Sequence, residues 1–222
     1  YNRKDPNFFE EITDIPKSDQ TLEDILKERF TWRDLIVKDT LLNDRITLKQ
    51  KIEDMEDEVL ANAGVDVFEE VFKLVFTKLY DETKSKDDKT IIDRAVKKKL
   101  KDDEVNDFDK LKEILKDIDD SDFRILEFRN TGQTDAQLKE KIQRLFDEAK
   151  RKWPGVFPNE SKIDLSPSHL SICVSSLQDV KLFNSNLQVI DEAFEYLVSK
   201  SSKGEKGQYF TPRHVIDMCV KM

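Results

Sequence analysis

Five glycines in 222 residues leave little room for a fold that depends on tight turns or on close approach of backbone to a ligand. Chains of many short strands use glycine at their turns, and nucleotide-binding loops use it where backbone meets phosphate. The five are Gly64, Gly132, Gly155, Gly204 and Gly207, and no spacing among them spells G-x-G-x-x-G or G-x-x-x-x-G-K-[ST]. A mainly α chain tolerates this scarcity. The 14 Phe and 2 Trp can build a core, which argues against disorder although 38% of the residues are charged.

Lys and Arg number 38 against 47 Asp and Glu, a net charge of −9, so the chain is not a basic protein that coats nucleic acid. Its length suits one large domain or two small ones. Cys173 and Cys219 lie far apart, and with only His169 and His214 beside them no zinc-ligand spacing exists. Both thiols read as reduced core residues, which points to a cytoplasmic setting. No apolar run is long enough to span a bilayer, and the start carries no signal-peptide pattern, so no membrane partner is expected. Tyr1 stands where an initiator Met would, and Met222 falls within an apolar helical pattern that has hardly begun, so the sequence reads as a piece of a longer protein.

Residues 1–19, with Pro6 and Pro16, read as an irregular arm. Thr21 with Asp24, and Thr31 with Asp34, are capping-box patterns that open two helices or one kinked helix. Leu48, Ile52, Met55 and Val59 form one stripe on a helix expected to reach a C-cap at Gly64. From Asp66 to Tyr80 the apolar positions cover more than a stripe, which predicts the buried central helix. A Lys- and Asp-rich stretch over 81–122 follows, with Ile92 and Val96, then Phe108, Leu111, Leu115 and Ile118, marking two thinner helices; it reads as a charged helical insertion over the core. Residues 123–128 have strand character but no evident partner. Thr134 with Gln137 opens a helix that Pro154 and Gly155 must end near Trp153. Ser166 and Pro167 open another, with Leu170, Cys173, Val174 and Leu177 inward, and Leu187, Ile190, Ala193, Phe194, Leu197 and Val198 repeat the pattern after residue 184. The expected organisation is therefore an arm at 1–19, a helical domain at 20–184 and a distinct block at 185–222.

That last block contains the segment that does not fit a plain bundle. A Lys- and Gly-containing loop from Lys203 to Gly207 leads to Gln208, Tyr209, Phe210, Thr211, Pro212, Arg213 and His214, then to Val215 and Ile216. Thr211 is placed as an N-cap with Pro212 at the first helical position. On these residues alone the segment is a loop and a helix start. Its chemical potential is that of a helix N-terminus with free N–H groups between aromatics, suited to a ligand bearing a carboxylate and a flat ring.

The run Gly207-Gln208-Tyr209-Phe210-Thr211-Pro212-Arg213, preceded by Ile190-Asp191-Glu192-Ala193-Phe194-Glu195-Tyr196-Leu197, resembles the modification (methyltransferase) subunit of type I restriction–modification systems. The helix from Asp66 to Tyr80 is similar to that family's buried helix. The resemblance implies a helical bundle followed by the first helices of a truncated α/β S-adenosylmethionine-dependent DNA adenine-N6 methyltransferase domain. It also implies that Gln208, Tyr209, Phe210, Thr211, Pro212 and Arg213 form one wall of the S-adenosylmethionine pocket, with Thr211 foremost. The implied partners are DNA, a specificity subunit, a second methyltransferase subunit and a restriction (nuclease) subunit.

The family's Gly-containing cofactor loop and its Asn-Pro-Pro-aromatic motif, which engages an extruded adenine, are absent: none of the six prolines follows an Asn. The chain alone is therefore expected not to methylate, and no catalytic or metal-binding residue is assigned. Candidate phosphate-facing patches are Lys97, Lys98, Lys99 and Lys101; Lys150, Arg151 and Lys152; and Lys200, Lys203 and Lys206, although each reads first as a solvated face. Two other readings stay open: a non-enzymatic helical interaction domain, and the same block within a single-chain restriction–methylation enzyme.

Overall fold

The computed structural model describes residues 29–43, 47–59, 63–99, 108–119 and 121–183, with residues 195 and 219 as single positions. The capping pair at Thr21 and Asp24, the 1–19 arm and the pattern from Leu187 to Val198 lie outside them. The described part is mainly helical: α1 (Trp32–Lys38), α2 (Thr40–Asn43), α3 (Leu48–Glu58), α4 (Val67–Thr83), α5 (Lys86–Lys99), α6 (Phe108–Lys116), α7 (Asp135–Lys152) and α8 (Pro167–Leu177). No strand occurs among the described residues, only an isolated antiparallel bridge between Thr31 and Ile125. Leu126 N–H donates to Phe30 O at 2.8 Å beside it, so the strand-like run 123–128 finds its partner in the residues before α1. No described helix is long and apolar enough to cross a membrane.

Local chemistry sets the helix ends. Thr31 and Asp34 exchange the reciprocal bonds of a capping box at α1, and Thr134 and Gln137 do so at α7. A third box, Thr47 with Gln50, opens α3 without having been expected from the sequence. Asp66 caps α4 by accepting Glu69 N–H at 2.9 Å, and Ser166 caps α8 with Pro167 in the first turn. α7 ends at Lys152, as Pro154 and Gly155 require, and Gly155 takes φ +89°. One boundary differs: α3 stops at Glu58, with Val59 N–H returning to Met55 O, so Gly64 (φ +68°) serves the turn into α4 and not a cap of α3. α4 in turn runs past Tyr80 to Thr83, because Asp81 and Glu82 have buried partners.

Two apolar cores result. The larger packs α3, α4, α7 and α8 around Leu74, Ile142, Phe146, Leu170 and Leu177, all fully buried, and takes in Phe128, Ile163, Leu165, Val180 and Leu182. At about 1.5–3 kcal/mol for each large side chain removed from water, this core dominates the stability of the fold. The smaller joins Trp32 and Leu35 of α1 to Ile92 and Val96 of α5 and Leu115 of α6, with Phe123 and Leu126. The pairs α4–α7 and α7–α8 pack most extensively. Cys173 is buried in the larger core as expected, but Cys219 is exposed, against its reading as a core thiol. A single cysteine in a short apolar run does not say which helix face it takes.

Candidate functional site

The residues assigned from the sequence to a cofactor wall, Gln208, Tyr209, Phe210, Thr211, Pro212 and Arg213, lie outside the described residues, as do Lys101, Lys200, Lys203, Lys206 and His214. Lys97, Lys98 and Lys99 are exposed in the last turn of α5, where cations also suit the helix dipole. Lys150 is not a free cation. Its Nζ donates to Asn159 O at 3.0 Å and Ser161 O at 2.7 Å, pairs with Asp147 and lies 5.1 Å above the Phe146 ring, so it fastens the loop after α7. Arg151 and Lys152 remain exposed beside it.

Arg151 also lines a surface groove of about 860 Å³ between α7 and residues 162–167. Lys139, Arg144 and Lys162 line it together with Glu140, Asp147 and Asp164, so its lining mixes both signs. Such a lining offers no uniform field for a polyanion. Next to it, Phe72, Phe76 and Tyr80 of α4 pack with Trp153 and Phe157 in tilted and edge-to-face pairs with centroids 4.7–5.7 Å apart. Among the described residues no group of His, Cys, Asp or Glu is placed to hold a metal ion.

The densest polar arrangement is buried, along α4. Glu70, Lys73, Lys78, Asp81 and Glu82 are each at most 2% exposed. Three of the carboxylates grip backbone in the same way, each accepting two consecutive N–H groups from a remote segment. Glu70 Oε2 takes Asp164 and Leu165 (3.1 and 3.3 Å), Asp81 Oδ2 takes Glu127 and Phe128 (both 2.8 Å), and Glu82 Oε2 takes Leu182 and Phe183 (3.0 and 2.7 Å). These segments have no ladder of their own, and buried N–H groups without acceptors are costly. Each carboxylate also has a cation: Lys73 at 2.7 Å from Glu70, Lys78 at 2.8 Å from Glu82, and Arg124 against Asp81. Asp39, just after α1, accepts one local N–H, from Leu41, and one remote N–H, from Lys181.

Burial governs the charges here. It lifts the Glu82 carboxyl above the ordinary glutamate range, with Lys78 and the two N–H donors only partly opposing it. It lifts Asp39 in the same way against the N–H groups of Lys181 and Leu41. For Lys73 burial works against the charge, but Glu70, Glu69 and Asp164 together outweigh it and hold the ammonium above its usual value. Burial also resists the charge of Glu127, which Lys84 and Arg124 overcome, leaving it below its usual value. Glu70, Asp81, Glu82 and Asp39 are each occupied by backbone N–H donors. The arrangement positions backbone; it offers no open nucleophile or proton acceptor.

Sequence reasoning missed this set. The signal was present: when apolar residues surround a helix as they do from Val67 to Leu79, the charged residues among them must be buried too, and buried charges require partners. Comparison with protein-family models, with curated proteins and with solved structures finds no match for this chain.

Proposed function

We propose that this chain is the helical domain, with the adjoining first elements of the catalytic domain, of a DNA adenine-N6 methyltransferase subunit of the type I restriction–modification class. The observation that carries the reading is the run Gly207-Gln208-Tyr209-Phe210-Thr211-Pro212-Arg213 following an apolar helical pattern. The mainly helical architecture of residues 29–183 is compatible with it and does not depend on it. S-adenosylmethionine supplies the transferable methyl group. In this reading Thr211 offers its hydroxyl and the N–H groups of a helix start to the cofactor's methionine end, while Tyr209 and Phe210 exclude water. Methyl transfer itself requires an Asn-Pro-Pro-aromatic motif that these 222 residues do not contain. The helical domain then serves assembly with specificity and sister subunits and closure over DNA.

Two measurements test it. The coding sequence after Met222 is expected to encode a Gly-containing strand–loop within about one βαβ unit, then Asn-Pro-Pro-aromatic; an immediate stop codon refutes the proposal. In the protein expressed to its natural stop, Thr211→Ala with Phe210→Ala is expected to abolish calorimetric binding of S-adenosylmethionine. Unchanged affinity removes these residues from the site.

A further inference from the structure

The two apolar cores are joined by a seam that is polar at every described crossing of the chain. The chain leaves the smaller core after Val37, passes the buried Asp39 and enters the larger at Leu41. It returns at the end of α4 through Asp81, Glu82 and Ser85, all 1% exposed, to Ile92. It crosses again at Glu127, between Leu126 of the smaller core and Phe128 of the larger. The last described crossing separates Leu182 of the larger core from Phe183, whose ring meets Trp32 edge-on at 5.6 Å.

Carboxylates receive N–H groups at three of the four crossings, two of these carboxylates supplied by the crossing at the end of α4: Asp39 takes those of Leu41 and Lys181, Asp81 those of Glu127 and Phe128, Glu82 those of Leu182 and Phe183. Cations complete the seam, with Arg124 on Asp81, Arg129 on Asp179 at 2.8 Å and Lys78 reaching Gln178 O at 3.2 Å. Trp32 Nε1, also in this region, is buried with no hydrogen-bond partner among the described residues.

The cores and the seam are held by different forces. Apolar burial has no substitute in water, so each core resists opening as a unit. Hydrogen bonds and ion pairs are exchanged for water at a small net cost, so the seam is where the molecule parts with least loss. We infer that the seam is an articulation: α1, α5 and α6 with residues 123–126 open from the larger core as one cooperative unit, parting Asp39 from the Lys181 N–H and the Trp32 ring from Phe183. The inference rests on the described residues alone and stands or falls independently of the methyltransferase reading.

Native-state hydrogen exchange on the 222-residue chain tests it. In the wild type, amides of α1, α5 and α6, with those of Lys181 and Phe183, are expected to share one opening equilibrium, populated at least about tenfold more than that of α7 and α8. A single equilibrium covering both cores overturns the inference. Glu82→Ala, which removes the acceptor of the Leu182 and Phe183 N–H groups, is expected to raise exchange in that first set by about tenfold or more and leave α7 and α8 unchanged. Equal acceleration in α7 and α8, or none at Lys181 and Phe183, overturns it. If Glu82→Ala does not accumulate as folded protein, Asp39→Ala, which removes the acceptor of the Lys181 N–H, is read on the same scale.

Discussion

Replacing Asp81 with alanine removes one carboxylate and disturbs three things at once. Its Oδ2 accepts Glu127 and Phe128 N–H at 2.8 Å each, the latter buried, and its Oδ1 is the ion-pair partner of Arg124. Hydrogen bonds to a charged group contribute about 1.5–3 kcal/mol each, and breaking a buried pair by deleting one partner costs about 3–5 kcal/mol. These figures overlap, because the same desolvation is counted in both. Arg124 also keeps Glu127 at 2.9 Å and the Asp81 main-chain O at 3.0 Å, which limits the loss on the cationic side. The expected destabilisation is therefore about 3–5 kcal/mol, a large share of the roughly 5–15 kcal/mol that holds a typical domain together. Urea denaturation followed by circular dichroism measures it, with an unchanged slope required for the comparison. Asp81→Asn, which keeps one acceptor, should fall between wild type and alanine. A double-mutant cycle with Arg124→Ala should return coupling of about 0.5–3 kcal/mol. A loss below about 1 kcal/mol for Asp81→Ala would show that water replaces the carboxylate and that the grip of α4 on residues 127–128 is incidental.

Thr134→Ala deletes one half of the capping box that starts α7 and should cost about 1 kcal/mol in the same denaturation assay, whereas Thr134→Ser should cost little; equal losses for both would place the effect outside the cap. The pH dependence of the urea midpoint should carry two opposing signs. Glu82 is held above its ordinary value of 4.5, so the folded state binds its proton more tightly than the unfolded chain, and stability falls as pH rises from there through the raised value. Glu127 is held below 4.5, so it contributes stability above that value which is lost as pH falls through the depressed one. Glu82→Gln should remove the first slope and Glu127→Gln the second; a profile unchanged by either substitution contradicts the assignment.

Much of the architecture was legible because it rests on short-range rules. Thr31 with Asp34, Thr134 with Gln137, and Ser166 with Pro167 each marked a helix start that the fold contains, since a cap is satisfied within one turn of its own chain. Leu138, Ile142, Leu145, Phe146 and Ala149 were legible as an inner face because helical periodicity alone puts them on one side. Capping at Thr47 was local too and escaped notice only because Gln50 stands before a weakly apolar helix.

What lay beyond the sequence was partnership over long separations. Nothing near Glu82 in the chain says that it will receive Leu182 and Phe183, 100 residues away, and nothing near residues 123–128 points to Phe30 and Thr31. Periodicity reports that a side chain is buried without reporting what it meets, and for an apolar residue that suffices because any apolar neighbour will do. A buried carboxylate needs particular donors at bonding distance, and only the folded chain supplies them. Scarce glycine and helical spacing thus determined that this protein is built of helices. The division into two cores, and the charged seam between them, was decided by tertiary structure, because it depends on which distant N–H groups come to rest beside Asp39, Asp81 and Glu82.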